Sequence, residues 1–183
     1  NHYTIGAMLQ APSIEKIDLH NIPDDKKLIR KALLLASQKA DVIITSGGVS
    51  VGKADFMKEV LSEIGKILFW KLAIKPGRPL AYGTINEAHY FGLPGNPVSA
   101  MVTFYQMVQP AIRLLMGEQG YTPPPKFKAK CTTTITKKPG RMEFQRAILT
   151  HDQDNLAVTP TRSQGSGILS SMSEANCFII LEM

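Results

Sequence analysis

Apolar residues recur in two rhythms along this chain, and the change of rhythm divides it. Up to residue 116, helical spacing alternates with short apolar runs; beyond residue 125 only short alternating runs remain. Residues 3–10 read as part of a helix already under way, and residues 15–19 alternate as a short strand does. Pro23, Asp24 and Asp25 open a helix, because acidic groups favour its positive end. Leu28, Ile29, Ala32, Leu33 and Ala36 mark its buried face. Residues 42–44 are apolar on both faces, which predicts a strand in a parallel sheet covered by helices. Phe56, Val60, Leu61 and Ile64 form the next helical stripe, stopped at Gly65. Residues 67–74, 80–82 and 90–93 read as further strands. Residues 97–116 read as a long helix, kinked at Pro110.

Tyr121, Thr122 and three successive prolines make a stiff linker. Two domains are therefore expected, residues 1–120 and 121–183. In the second, residues 126–136, 143–149, 156–159 and 178–181 predict short strands, with no helical periodicity between them. The expected fold is α/β, a three-layer, mostly parallel sheet domain followed by a small β-barrel-like domain.

Charge changes this picture little. There are 21 Lys and Arg against 15 Asp and Glu, a net charge of +6, with 44% hydrophobic and 20% charged residues. That balance excludes a disordered tail. No run of like charges suggests a nucleic-acid arm, and no stretch nears the roughly 18 apolar residues of a membrane helix. Cys131 and Cys177 match no metal spacing and read as reduced thiols of a cytoplasmic protein. The chain opens at Asn1 without an initiator Met or a signal peptide, so a processed or partial chain is expected.

Three loops carry candidate chemistry, each at the exit of an expected strand, where open α/β sheets bind ligands. The first holds Ser46, Gly47, Gly48, Ser50, Gly52, Lys53 and Asp55. Its glycines let backbone N–H groups approach an anion, and Asp55 could cap the following helix or hold a cation. An ordinary strand-to-helix turn would read the same way. The second holds Pro94, Gly95, Asn96, Pro97 and Ser99: Asn96 suits an N-cap and Pro97 the first helical position. That makes either an anion site or simply a well-made helix start. The third holds Lys71, Lys75, Pro76, Gly77, Arg78 and Pro79. On a single strand Lys71 and Lys75 would share a face, and Arg78 adds a third cation; snorkelling lysines at a sheet edge are the alternative. Together the loops favour a phosphate-bearing or oxyanionic ligand. His2, His20, His89 and His151 are scattered.

These strings have a likeness. Residues 45–52 with Asp55, and residues 93–99, resemble the signature of the molybdopterin-binding fold. Lys75-Pro76-Gly77-Arg78-Pro79 narrows the resemblance to the MoeA family of molybdopterin molybdenumtransferases, which includes the E domain of gephyrin. Residues 140–146, 163–171 and Ala175-Asn176 resemble that family's C-terminal β-domain. The resemblance implies an enzyme that takes adenylylated molybdopterin and molybdate, releases AMP and inserts molybdenum, assisted by Mg²⁺. It implies that Ser46, Gly47, Gly48, Ser50 and Gly52 line the molybdopterin site and that Asp55 serves metal or catalysis. Lys71, Lys75 and Arg78 would hold phosphate or molybdate charge, with Pro76 and Gly77 among the cofactor-binding residues. Pro94, Gly95, Asn96 and Ser99 would form the opposite wall, and Arg146 and Ser166 would help hold molybdate.

It also implies a homodimer, supplied with substrate by an adenylyltransferase. Against the family pattern, the first strand of the α/β domain, two preceding domains and a last strand or two are expected to be missing. This chain alone is therefore expected to turn over poorly. A molybdopterin adenylyltransferase of the same fold, or a non-catalytic gephyrin-like scaffold, are the alternatives; the second domain argues against the first of these.

Overall fold

The computed structural model describes residues 1–10, 13–16, 21–49, 56–152 and 155–183. Along the first region run α1 (His2–Met8), α2 (Lys26–Ser37), β1 (Val42–Ser46), α3 (Phe56–Ile64), β2 (Gly65–Lys71), β3 (Ile74–Lys75), β4 (Pro79–Ile85) and β5 (Ala88–Leu93). A long helical run follows: α4 (Pro97–Thr103), a π-helical stretch (Phe104–Val108) and α5 (Gln109–Leu115). The second region holds β6 (Lys130–Cys131), β7 (Met142–Asp152), β8 (Asn155–Pro160), α6 (Ser170–Glu174) and β9 (Cys177–Leu181).

The first sheet has the order β1-β5-β4-β2. Its two faces are apolar in alternation, as a strand's period of two requires. Ile43, Ala81, Ile85 and Tyr90 face α2 and α3 through Ile29, Leu33, Val60 and Leu61. Leu80, Phe91 and Leu93 face Ala100, Phe104, Val108 and Ile112 of the long helical run, with Ile5 and Met8 of α1 beside them. The three layers are thus as expected. The sheet itself is mixed rather than mostly parallel: β1 pairs with β5 in parallel, but β5–β4 and β4–β2 are antiparallel. The reason is local. Only Asn86 and Glu87 separate β4 from β5, with Asn86 at φ 51, and so short a turn makes a hairpin, never a crossover.

Asp25 caps α2 as expected, its carboxylate accepting from the Leu28 amide at 2.9 Å. Ile29, Leu33 and Ala36 are buried, whereas Leu28 lies off their stripe and is exposed. Residues 15 and 16 form no strand, and the rest of that expected strand lies outside the described residues. In the long helix, Pro110 removes one N–H and crowds the carbonyl of Gln106. The irregularity this produces is the π-helical stretch directly before it.

The expected strand over 67–74 divides. β2 ends at Lys71, and Ile74–Lys75 leaves the first sheet to pair in parallel with Met142–Glu143 of β7. The second sheet therefore runs β3-β7-β8-β6, with β9 on the other side of β7. Ile74, Val98, Val102 and Phe144 form a small core that joins the two regions. Of residues 126–136 only Lys130 and Cys131 are strand, paired with Ala157 and Val158 of β8, and nearly all of residues 122–130 are exposed. The helix α6, too short for any periodicity to register, stands where only strands were expected.

Candidate functional site

The first and second loops meet because β1 and β5 are parallel neighbours, so both strands deliver their carboxyl ends to one place. The Gly47 amide donates to the Leu93 carbonyl at 3.1 Å. The Ser46 hydroxyl donates to the Pro94 carbonyl at 3.1 Å. Asn1 closes the contact: its side-chain amide donates to Ser46 Oγ at 2.5 Å and to the Gly95 carbonyl at 2.7 Å. Gly47 and Gly48 have φ of 93 and 69, a left-handed turn that residues with a Cβ rarely hold. The space beside Gly47 is open to 4 Å. Successive amides in such a turn can face an anion. Ser50, Gly52 and Asp55 lie outside the described residues.

Asn96 caps α4, its side-chain oxygen accepting from the Ser99 amide at 3.3 Å, and Pro97 opens the helix. Pro94 and Ser99 are buried, and Gly95 is exposed.

The third loop sits on the same helix. Gly77 has φ 104, and a Cβ there would fall on Thr103 Cγ2 and lie 3.5 Å from the Ser99 carbonyl. The Arg78 carbonyl accepts from the Leu72 amide at 2.9 Å, which closes the loop 72–78. Pro76 follows Lys75 through a cis peptide bond. Lys71, Lys75 and Arg78 are exposed. Lys71 and Lys75 do not share a strand face, because the chain changes sheets between them. Lys75 instead reaches across its ladder pair: Nζ lies 3.2 Å from Glu143 Oε1.

Glu143 is the residue that sequence reasoning passed over. Its carboxylate is buried and also accepts from Gln145 Nε2 at 3.2 Å. Burial pushes its carboxyl up, but the hydrogen bonds from Gln145 and Lys75 outweigh that and hold it below the usual carboxylate range. Neither sequence distance nor spacing ties Glu143 to Lys75; only the β3–β7 pairing does. Asn1 was missed as a site residue for the same reason.

Arg146 is held from several sides. Its side chain is 1% exposed. Nε donates to Ser171 Oγ at 3.1 Å, and Nη2 donates to the carbonyls of Ser163 at 3.3 Å and Gly165 at 3.1 Å. Burial lowers its pKa from the ordinary arginine value. It braces the loop that carries Ser166, which is itself half-buried.

A cleft of about 1490 Å³ runs along the outer edge of β1 and is lined by Asn1, Thr45, Ser46, Gly47, Gly48 and Met57 among others. None of residues 71–79 lines it. Among the described residues there is no group of three or more His, Cys, Asp or Glu side chains that could hold a metal ion. No described helix is long and apolar enough to cross a membrane.

Comparison with known proteins gives consistent matches. Residues 1–114 match the family described as "Probable molybdopterin binding domain", and residues 128–183 match "MoeA C-terminal region (domain IV)". The chain is 46% identical over 183 residues to a molybdopterin molybdenumtransferase of Haemophilus influenzae, covering 100% of this chain and 45% of that protein. It is 36% identical to a gephyrin of Dictyostelium discoideum, over 87% of this chain and 26% of that one. It thus spans less than half the length of either relative. Among solved structures, a molybdenum cofactor biosynthesis protein of Pyrococcus furiosus superposes with a TM-score of 0.75 at 28% identity, covering 99% of this chain and 57% of the other.

Proposed function

Because this chain belongs to the MoeA family of molybdopterin-binding proteins, we propose that it forms part of a molybdopterin molybdenumtransferase. The reaction takes adenylylated molybdopterin and molybdate, releases AMP and places molybdenum in the dithiolene. The observation that carries this reading is the joining of the Ser46–Gly47 and Pro94–Gly95 turns at the ends of two parallel strands. Beside them the cationic third loop is seated on the helix that Asn96 caps.

In this reading the amides of Gly47 and Gly48, with Ser50 and Gly52 beyond them, cradle the pterin phosphate. Pro94, Gly95, Asn96 and Ser99 form the facing wall. Lys71, Lys75 and Arg78 stabilise charge on the leaving phosphate and on molybdate, which preorganised groups do without reorganising during the reaction. Pro76 and Gly77 hold those cations in place. Arg146 and Ser166 help hold molybdate, with Arg146 also bracing the loop that bears Ser166. Asp55 is assigned to catalysis and to Mg²⁺. The described residues do not build a magnesium site by themselves.

The family likeness further supports two domains divided near residues 120–121 and a cytoplasmic homodimer. It also supports an adenylyltransferase as the supplier of substrate. The test is an assay of the full-length protein with adenylylated molybdopterin. AMP release should depend on molybdate, and Asp55→Ala should lower it about 100-fold with the fold intact. Unchanged turnover in that variant removes the assignment of Asp55. ATP-dependent adenylylation of molybdopterin in place of AMP release would transfer the reading to the adenylyltransferase.

A further inference from the structure

We infer that Glu143 is a positioning residue for the reaction: from the second sheet, it holds the Lys75 ammonium at the place where the substrate's negative charge is met. This rests on the reading of Lys75 given above.

The argument is geometric. Lys75 and Glu143 are direct partners in the parallel β3–β7 ladder, so their backbones are held in register and their side chains leave the sheet side by side. The carboxylate is buried, with 6% of its side chain exposed, while 51% of the Lys75 side chain stays open to solvent. One partner is therefore fixed and the other accessible. Gln145 Nε2 donates to the second carboxylate oxygen at 3.2 Å, so the carboxylate cannot swing away from Lys75 without losing that bond. The hydrogen bonds from Gln145 and Lys75, with a smaller contribution from the charge of Lys137, favour the ionised carboxylate against its burial.

A free lysine has four rotatable carbons and a compact charge with no preferred direction. Anchoring it removes that freedom before substrate arrives. Misplacement of a reacting or stabilising group by about 1 Å can cost around 100-fold in rate. The pair also ties the cationic loop of the first region to the strand of the second, beside the β3–β7 ladder.

The test uses the full-length protein with adenylylated molybdopterin and molybdate. Glu143→Gln keeps the shape and an acceptor oxygen but removes the charge. It should lower kcat about tenfold with KM changed less than about twofold, the signature of an interaction that matters in the transition state. In a Lys75→Ala background the same substitution should change kcat by less than about twofold, because both act through one ammonium. Glu143→Asp, which keeps the charge but draws it back by one methylene, should reproduce the loss of kcat.

Lys75→Ala at wild-type activity overturns the site reading of Lys75. If Lys75→Ala is impaired, then wild-type kcat in Glu143→Gln, or an undiminished effect of Glu143→Gln in the double variant, overturns the positioning role alone. If neither Glu143 variant folds, the residue is structural and the inference falls.

Discussion

The two sheets are held together by different physics. In the first, the buried side chains on both faces are almost wholly aliphatic or aromatic, from Ile43 and Tyr90 on one side to Leu80 and Phe91 on the other. In the second, β7 buries Glu143 and Arg146 beside Phe144 and Ala147, and Thr161 and Ser171 are buried near them. No described buried side-chain nitrogen or oxygen lacks a hydrogen-bond partner. An apolar core stabilises roughly in proportion to the area it buries and tolerates small changes of shape. A buried polar network behaves otherwise: each bond contributes modestly, but removing one partner strands the others. The region carrying the glycine turn after β1 and the Asn96 cap therefore rests on a forgiving base, and the region carrying Glu143 rests on an exacting one.

The sharpest way to break this contrast is at Arg146. Arg146→Ala removes the donor to Ser163, Gly165 and Ser171 at once and leaves two carbonyls without it. We expect a loss of about 4 kcal/mol. Leu61→Ala in the first region should lose about 3 kcal/mol through its cavity. The difference in kind should exceed the difference in size. Arg146→Lys should recover little, since one ammonium cannot replace the planar fork, whereas Leu61→Met should recover most of the loss. Urea unfolding of the full chain measures both, and faster hydrogen exchange at residues 163–171 locates the first. A loss below about 1 kcal/mol for Arg146→Ala would remove the contrast.

A smaller effect is expected at the seam. Gly77→Ala places a methyl group on Thr103 and forces a residue with a Cβ to φ 104. It should cost about 3 kcal/mol, from both the clash and the backbone strain. Thr103→Ser deletes the clashing methyl but keeps the hydroxyl that donates to Ser99 and Ala100. Added to Gly77→Ala, it should return the steric part and leave about 1 kcal/mol of strain. Thermal unfolding of the two variants and their combination separates these contributions. Full recovery would mean that φ contributes nothing.

The smallest effect concerns acid. Glu143 has its carboxyl held below the usual carboxylate range, so its contribution to stability is complete above that range and is lost as pH falls through the lowered folded value. The exposed Glu63 on α3 is lowered chiefly by its hydrogen bond from Lys26, and salt should screen that pair strongly. Unfolding measured from pH 5 to pH 3 should show the Glu143 step, and Glu143→Gln should flatten it. A step that vanishes in 1 M salt instead of in Glu143→Gln would assign it to surface pairs.

Much of the first region was legible along the chain because its signals are local. The acidic start of α2, the helical stripe ending at Gly65, the glycine pair after β1 and the Asn96–Pro97 helix start each follow from a few neighbouring residues, and the structure bears them out. The glycine turn and the capped helix start of the first two loops were legible too, since each rests on a few adjacent residues. Leu28 departed from its expected face because periodicity marks a stripe without fixing its width.

What local pattern could not carry was pairing. The apolar run over 67–74 looks like one strand, yet Ile74 and Lys75 belong to the other sheet, because Met142 and Glu143 offer them a ladder that no nearby residue reveals. Nothing within a few residues of Arg146 shows that its guanidinium donates to carbonyls 17 and 19 positions away. Composition and spacing thus decide which segments become helix, strand or turn, since those choices are made within a few residues. Which strands are neighbours, and so which cations are braced and which are free to meet a ligand, is settled only when distant backbones compete for the same hydrogen bonds.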